Sequence, residues 1–244
     1  MSKNPTVVLV HGAFADSSSW NDVVARLHER GHRTLAVANP LRGLDGDAAY
    51  VASVVGAVDG PVVLVGHSYG GVLISRAARD LPNVEALVYI AAFQPDTGES
   101  ALGLATRFPG AELGPDTTTV LVHDGEPELR IRPEDFRRVF AGDLPAETTA
   151  TLAVTQRPVA ERALTTGLPG EPAWRGLPSW ALVAARDNAI PARAQEFMAE
   201  RAGSRTVRVD ASHAVAVSRP DAVADLVLEA VKAVESGESA GSGA

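Results

Sequence analysis

The pentapeptide Gly66-His67-Ser68-Tyr69-Gly70 lies between a continuous apolar run at 61–65 and an amphipathic stretch at 69–79. A serine flanked by glycines at such a junction reads as a nucleophile elbow. This is a strand-to-helix turn tight enough to hold the serine in a strained conformation with its hydroxyl exposed. Side chains at Gly66 and Gly70 would collide with neighbouring backbone, and Gly71 lets the helix pack closely. Such a turn needs a parallel sheet beneath it, and the rest of the chain carries the pattern for one. Apolar runs at 6–10, 33–38, 85–90, 179–185 and 205–209 read as further strands. Between them, Trp20, Val23, Val24 and Leu27 recur at helical spacing, as do Val51, Val54, Val55 and Val58. Val223, Leu226, Val227 and Ala230 mark a last helix. Ser17, Ser18 and Ser19 offer N-caps for the first helix, Gly31 lies past its end, and Pro191 begins a helix over 191–201 from the first position. Strands alternating with helices predict an α/β fold, a mostly parallel sheet of about six strands with helices on both faces.

The alternation fails between about 95 and 175, where Pro, Gly, Thr and charged residues rise. There, 118–123 and 128–132 pair as a hairpin around Asp124-Gly125, and 134–140 reads as a short helix after Pro133. An irregular insertion between two regular halves predicts a cap over a site. The expected organisation is one domain over 1–235 carrying this cap, followed by a disordered Gly/Ser-rich tail at 236–244.

Composition narrows the chemistry. The net charge of −8 argues against nucleic-acid binding, which needs a basic face. The chain has no cysteine, so disulfides, thiolate catalysis and Cys-ligated metals are excluded. No signal-peptide h-region precedes the first strand, and no apolar run reaches the roughly 20 residues of a membrane span. The expected location is the cytoplasm, and the Ala-, Val- and Arg-rich composition points to a bacterial source.

Three further loops join the elbow. His11-Gly12-Ala13 follows the first strand, and Ala13 is the candidate for one of two backbone N–H donors in an oxyanion hole. Tyr69, the residue after the serine and at the start of a helix, is the other. Asp187 follows the strand at 179–185, and His213 follows the strand at 205–209. Either residue alone also fits a turn or a structural role. Together they keep the Ser, Asp, His order of this fold, and all four loops fall beyond the carboxyl ends of strands, where open α/β sheets bind ligands. The expected triad is therefore Ser68 as nucleophile, His213 as base and Asp187 as orienting acid. Asp210 is a rival acid too close in sequence to His213 to face its ring, and Asp124 and Asp143 are poorer candidates in the cap. His11 and His67 read as structural, with His67 turned away from the nucleophile. His28 and His32 read as surface residues and His123 as a solvated turn position.

At these motifs the chain resembles the α/β-hydrolase superfamily, in its branch of plant methylesterases, hydroxynitrile lyases and related bacterial esterases. The resemblance covers Val10-His11-Gly12-Ala13 with Trp20, the elbow with Gly71, Asp187 leading to Ile190-Pro191, and His213 followed by Ser218-Arg219-Pro220. It extends over 5–95 and 178–232 and is poor in the cap. The lyases of that branch carry a threonine where this chain has Gly12, and a lysine after the catalytic histidine where it has Ala214; both absences favour ester hydrolysis. Dehalogenases and epoxide hydrolases of this fold use an aspartate where Ser68 stands. The resemblance implies a serine carboxylic-ester hydrolase acting on a small to medium, largely apolar ester. A lyase or cyclase of natural-product metabolism and a ligand-binding receptor on the same scaffold are the alternatives. Gly12, Phe14, Phe93, Phe108, Phe136 and Phe140 are expected to contact substrate, with Leu104, Leu121 and Trp174 as further cap walls. The expected partner is a small-molecule ester, with no cofactor, metal, nucleic acid or membrane; a homodimer is compatible with the sequence.

Overall fold

Short runs of β-branched residues build the centre of the molecule, because branched side chains pack well on a pleated sheet buried on both faces. The computed structural model describes residues 4–237. Six strands form the main sheet: β1 (Thr6–Val10), β2 (Thr34–Val37), β3 (Val62–His67), β4 (Val84–Ile90), β8 (Ser179–Ala184) and β9 (Arg205–Val209). Their order is β2-β1-β3-β4-β8-β9, and every neighbouring pair is parallel. The α/β-hydrolase class expected from the sequence is the class observed.

Helices cover both faces. α1 (Asn21–Glu29) and α10 (Pro220–Ser236) lie on one side, where Trp20, Val23, Leu27, Val223 and Val227 meet Val7, Leu9, Val63 and Val65. α2 (Leu44–Gly56), α3 (Tyr69–Ala77) and α8 (Ala192–Arg201) pack on the other, against Val8, Val10, Leu64 and Leu87. The alternation of inward residues along β1 and β3 thus feeds two separate cores. Each fully buried aliphatic side chain contributes about 1.5–3 kcal/mol relative to exposure.

Several boundaries differ from the sequence reading. A 3₁₀ turn over Ser17–Trp20 precedes α1 and is capped by Asp16, whose carboxylate accepts from the Ser18 N–H, rather than by a serine. Pro191 is the N-cap of α8 in extended conformation instead of its first helical residue. Ser236 closes α10, with Gly237 at φ 69° as its left-handed cap, so the expected tail does not begin at 236. The rest of that expected tail lies outside the described residues. None of the described helices is long and apolar enough to cross a membrane.

The insertion after β4 contains α4 (Ala101–Ala105), β5 (Thr118–His123), β6 (Glu126–Ile131), α5 (Pro133–Val139), α6 (Ala146–Thr155), β7 (Val159–Ala160) and α7 (Glu161–Thr165). β5 and β6 form the expected hairpin, with His123 opposite Glu126. Asp124 and Gly125 between them have φ of 51° and 78°, the double positive φ of a two-residue turn matched to strand twist. β7 adds a third antiparallel strand. A short helix α9 (Val215–Ser218) then bridges the loop after β9 to α10.

Candidate active site

The chain runs from β1 outward to β2 and then returns past β1 to β3, so β1 and β3 flank the switch point of the sheet. Ligands bind at such a point, outside the carboxyl ends of the strands. Val10 pairs with Gly66 at the last register position, so the Gly12 loop and the Ser68 turn emerge side by side. Ser68 adopts φ 53° and ψ −122°, a costly conformation for a residue with a side chain. The glycines explain how it is held. A Cβ on Gly66 would sit 2.6 Å from Gly70 O, one on Gly70 2.4 Å from Val10 O, and one on Gly71 2.1 Å from Phe93 O. The turn therefore packs directly against β1 and the loop after β4.

His213 and Asp187 arrive from the ends of β9 and β8 and are buried. Nδ1 of His213 donates to Asp187 Oδ2 at 2.6 Å, which leaves Nε2 with its lone pair. Asp187 Oδ1 accepts from the backbone N–H groups of Ala189 and Ile190, both at 2.8 Å, and Oδ2 accepts also from Gln195 Nε2 at 2.8 Å. Ser68 and His213 line one cavity of about 300 Å³. No hydrogen bond joins the Ser68 hydroxyl to His213 among the described residues. Asp210, the rival acid, is exposed and pairs with Arg186 at 2.6 Å.

Ala13 lines the same cavity, and Phe14 beside it is held at φ 59°. The N–H groups of Ala13 and Tyr69 meet no backbone acceptor among the loop and cap contacts of the described residues. Tyr69 is anchored from behind, because its hydroxyl donates to the buried Asp47 carboxylate at 3.1 Å. Burial and that carboxylate push the Tyr69 hydroxyl far above its usual range, so it stays protonated. Asp47 also accepts from the N–H groups of Arg42 and Gly43, and burial raises its pKa.

The two other histidines differ in role. Nδ1 of His11 lies 2.9 Å from Gly12 O, as a loop-shaping residue would, and burial lowers its pKa. His67 is not simply turned away from the site: its Nε2 donates to the His213 carbonyl at 3.0 Å, and the two rings meet at a tilt with centroids 4.7 Å apart. Burial, with His213 as neighbour, holds His67 well below the ordinary imidazole pKa and thus neutral. The cap grips the same loop. Phe140 O accepts from the Ala214 N–H at 2.9 Å, the Phe140 ring meets His213 edge-on at 4.7 Å, and Ser212 donates to Asp143.

Phe14, Phe93 and Phe140 line the cavity. Phe108 and Phe136 do not: Phe108 packs on Phe197 at 5.6 Å, and Phe136 is buried behind Phe140 at 5.0 Å. Leu104 and Trp174 are buried in the core, and Leu121 is exposed. Gly12 borders Ser68, for a Cβ there would lie 2.5 Å from Ser68 Cβ. Most of the wall is aliphatic and was missed in the sequence, notably Leu102, Leu113, Leu129, Leu164 and Ile190. Glu161 is the one acidic residue on it, and no Lys or Arg lines it among the described residues. Gln195 was missed as well, although a glutamine between Ala194 and Met198 on the buried face of a helix was a readable signal.

Residues 7–226 match the model of the alpha/beta hydrolase family. Over 113 residues the chain is 36% identical to a carbendazim hydrolyzing esterase of Nocardioides sp. (strain SG-4G), a match covering 41% of the chain and 47% of that esterase. It is 29% identical over 260 residues to the alpha/beta hydrolase nvfD of Aspergillus novofumigatus, covering 93% of the chain and 96% of that protein. Its fold is similar to that of the methylesterase MES16 from Arabidopsis, with a TM-score of 0.78, 21% identity, and coverage of 93% and 99% of the two chains.

Proposed function

Since the chain belongs to the alpha/beta hydrolase family, we propose that it is a serine carboxylic-ester hydrolase working through an acyl-enzyme on a small to medium, largely apolar ester. The observation that carries this reading is the 2.6 Å His213–Asp187 hydrogen bond beside Ser68 on one apolar cavity. In this mechanism, Nε2 of His213 takes the Ser68 proton as Oγ attacks the ester carbonyl. The developing oxyanion is held by the Ala13 and Tyr69 N–H groups, which need no reorganisation at the moment of reaction. The charged imidazole, stabilised by Asp187, then protonates the departing alcohol, and water releases the acyl group. The Ser68–His213 hydrogen bond forms as substrate fills the cavity, as is common for resting sites. A fluorophosphonate probe tests the core of the reading: labelling should occur at Ser68, and an inert protein would speak for the receptor alternative.

The cavity itself supports an apolar substrate, and it also bears on charge. Glu161 is the acidic residue on the wall, and no basic residue lines it among the described residues. An ester ending in a carboxylate should therefore show a kcat/KM about tenfold below that of a neutral ester of equal length, since like charges in a partly desolvated site repel. Equal turnover of the two would remove Glu161 from the binding site.

Cyanohydrin cleavage is disfavoured on the same ground. A cation about 4 Å from departing cyanide gives roughly 4 kcal/mol at an effective dielectric of about 20, near a thousandfold in rate. Ala214 supplies no such charge. Arg107 lies over the Phe197 ring at 4.4 Å and Arg137 is exposed, so neither replaces it. A threonine at position 12 would also collide with Ser68. Mandelonitrile should yield no cyanide above the buffer rate; release that disappears on Ser68→Ala would promote the lyase reading.

A further inference from the structure

We propose that Gln195 is a positioning residue of the site: its amide fixes the Asp187 carboxylate and, through it, the ring and tautomer of His213. The inference rests on the serine-hydrolase reading above. Gln195 is buried in the first half of α8, and all its polar capacity is directed. Its Oε1 accepts from the Ala184 N–H at 3.0 Å, and its Nε2 donates to Asp187 Oδ2 at 2.8 Å and to Ile190 O at 2.7 Å. The Ala184 contact sets which end faces the carboxylate, because a flipped amide would set N–H against N–H. The last residue of β8 thereby orients the amide, and the amide orients the acid.

Among the described residues, Asp187 is held by neutral donors and by His213: two backbone N–H groups on Oδ1, and Gln195 with the imidazole on Oδ2. No lysine or arginine among the described residues partners it, so its charge stays directed at the imidazole. Without Gln195 the carboxylate would be tethered through Oδ1 and could twist about its Cβ–Cγ bond, carrying Oδ2 off the ring N–H. Asp187 is the titratable group that faces the amide, with His213 beyond it and neutral His67 tilted against that ring. The charges on adjoining elements, Arg186 with Asp210 and Glu196 with Arg208, pair with one another at the surface.

Two substitutions in the full-length protein test this with a p-nitrophenyl ester across a range of pH. Gln195→Leu removes both donors, and kcat should fall by about tenfold to a hundredfold with KM within about twofold. Gln195→Glu keeps the shape. Protonated, it donates to Oδ2 as the amide does; ionised, it sets a second carboxylate against Asp187, which such pairs resist by holding a proton. Its kcat should fall on the alkaline side of the range, where the introduced carboxyl ionises, a descending limb that the parent protein lacks. Circular dichroism over the same range separates this from unfolding, and if the leucine variant does not fold the glutamate profile decides alone. Folded variants with parental kcat and an unaltered pH profile would overturn the proposal. Hydrolysis that needs Ser68 but ignores both substitutions breaks this inference alone, whereas hydrolysis that survives Ser68→Ala breaks the reading beneath it.

Discussion

Replacing Ser68 by alanine is expected to lower ester hydrolysis by roughly a thousandfold to a millionfold, the range seen when a member of such a constellation is removed. The fold should survive. The Ser68 hydroxyl takes part in no hydrogen bond among the described residues, and what holds the turn is backbone. Ser68 O accepts from the Gly71 and Phe93 N–H groups, and Ser68 N–H donates to Ile90 O. Alanine keeps all three contacts and the same positive φ, so the thermal midpoint should move little. The variant should also lose fluorophosphonate labelling. Turnover within tenfold of the parent, in a preparation free of other hydrolases, would remove Ser68 from the mechanism.

Asp187→Asn should cost about 10⁴-fold in kcat, the magnitude known for amide replacement of an orienting acid. The geometry says why. Two backbone N–H groups point at Oδ1, so the amide oxygen must take that place and the NH₂ the place of Oδ2. There it would meet Gln195 Nε2 and His213 Nδ1, two donors. The imidazole escapes the clash by moving its proton to Nε2, where it can no longer accept one from Ser68. Asp210→Asn disturbs only an exposed pair with Arg186 and should change kcat by less than about twofold. Measured side by side, the reverse ranking would put the orienting acid at 210.

How much of this was legible in the sequence depended on how local its cause was. The elbow could be read because three glycines and a serine express one steric requirement within six residues. The Asp124-Gly125 turn could be read for the same reason, since a two-residue hairpin demands positive φ at both positions. The strands of the main sheet were visible as apolar runs, and with them the edge where Ser68, Asp187 and His213 gather. The cap was only partly legible. Helices α4 and α7 have five residues each, too few to show a helical period. Which way a cap aromatic faces is decided by distant packing: Phe136 and Phe140 lie one turn apart, yet only Phe140 reaches the cavity. Aromatic residues drew attention by size, while most of the wall is aliphatic.

The grip of the cap on the His213 loop divides the insertion into two mechanical parts. The span from α5 to Asp143 is bolted to the loop by the Phe140 carbonyl, the Phe140 ring and the Asp143 carboxylate. The β5–β6 hairpin carries Val120 on the cavity wall but keeps its apolar strand exposed to solvent. A lid swinging as one slab would drag the proton acceptor out of register each time it opened. Substitutions at the exposed positions 119–123 can therefore reshape the outer face of the cap and leave the contacts on the His213 loop undisturbed.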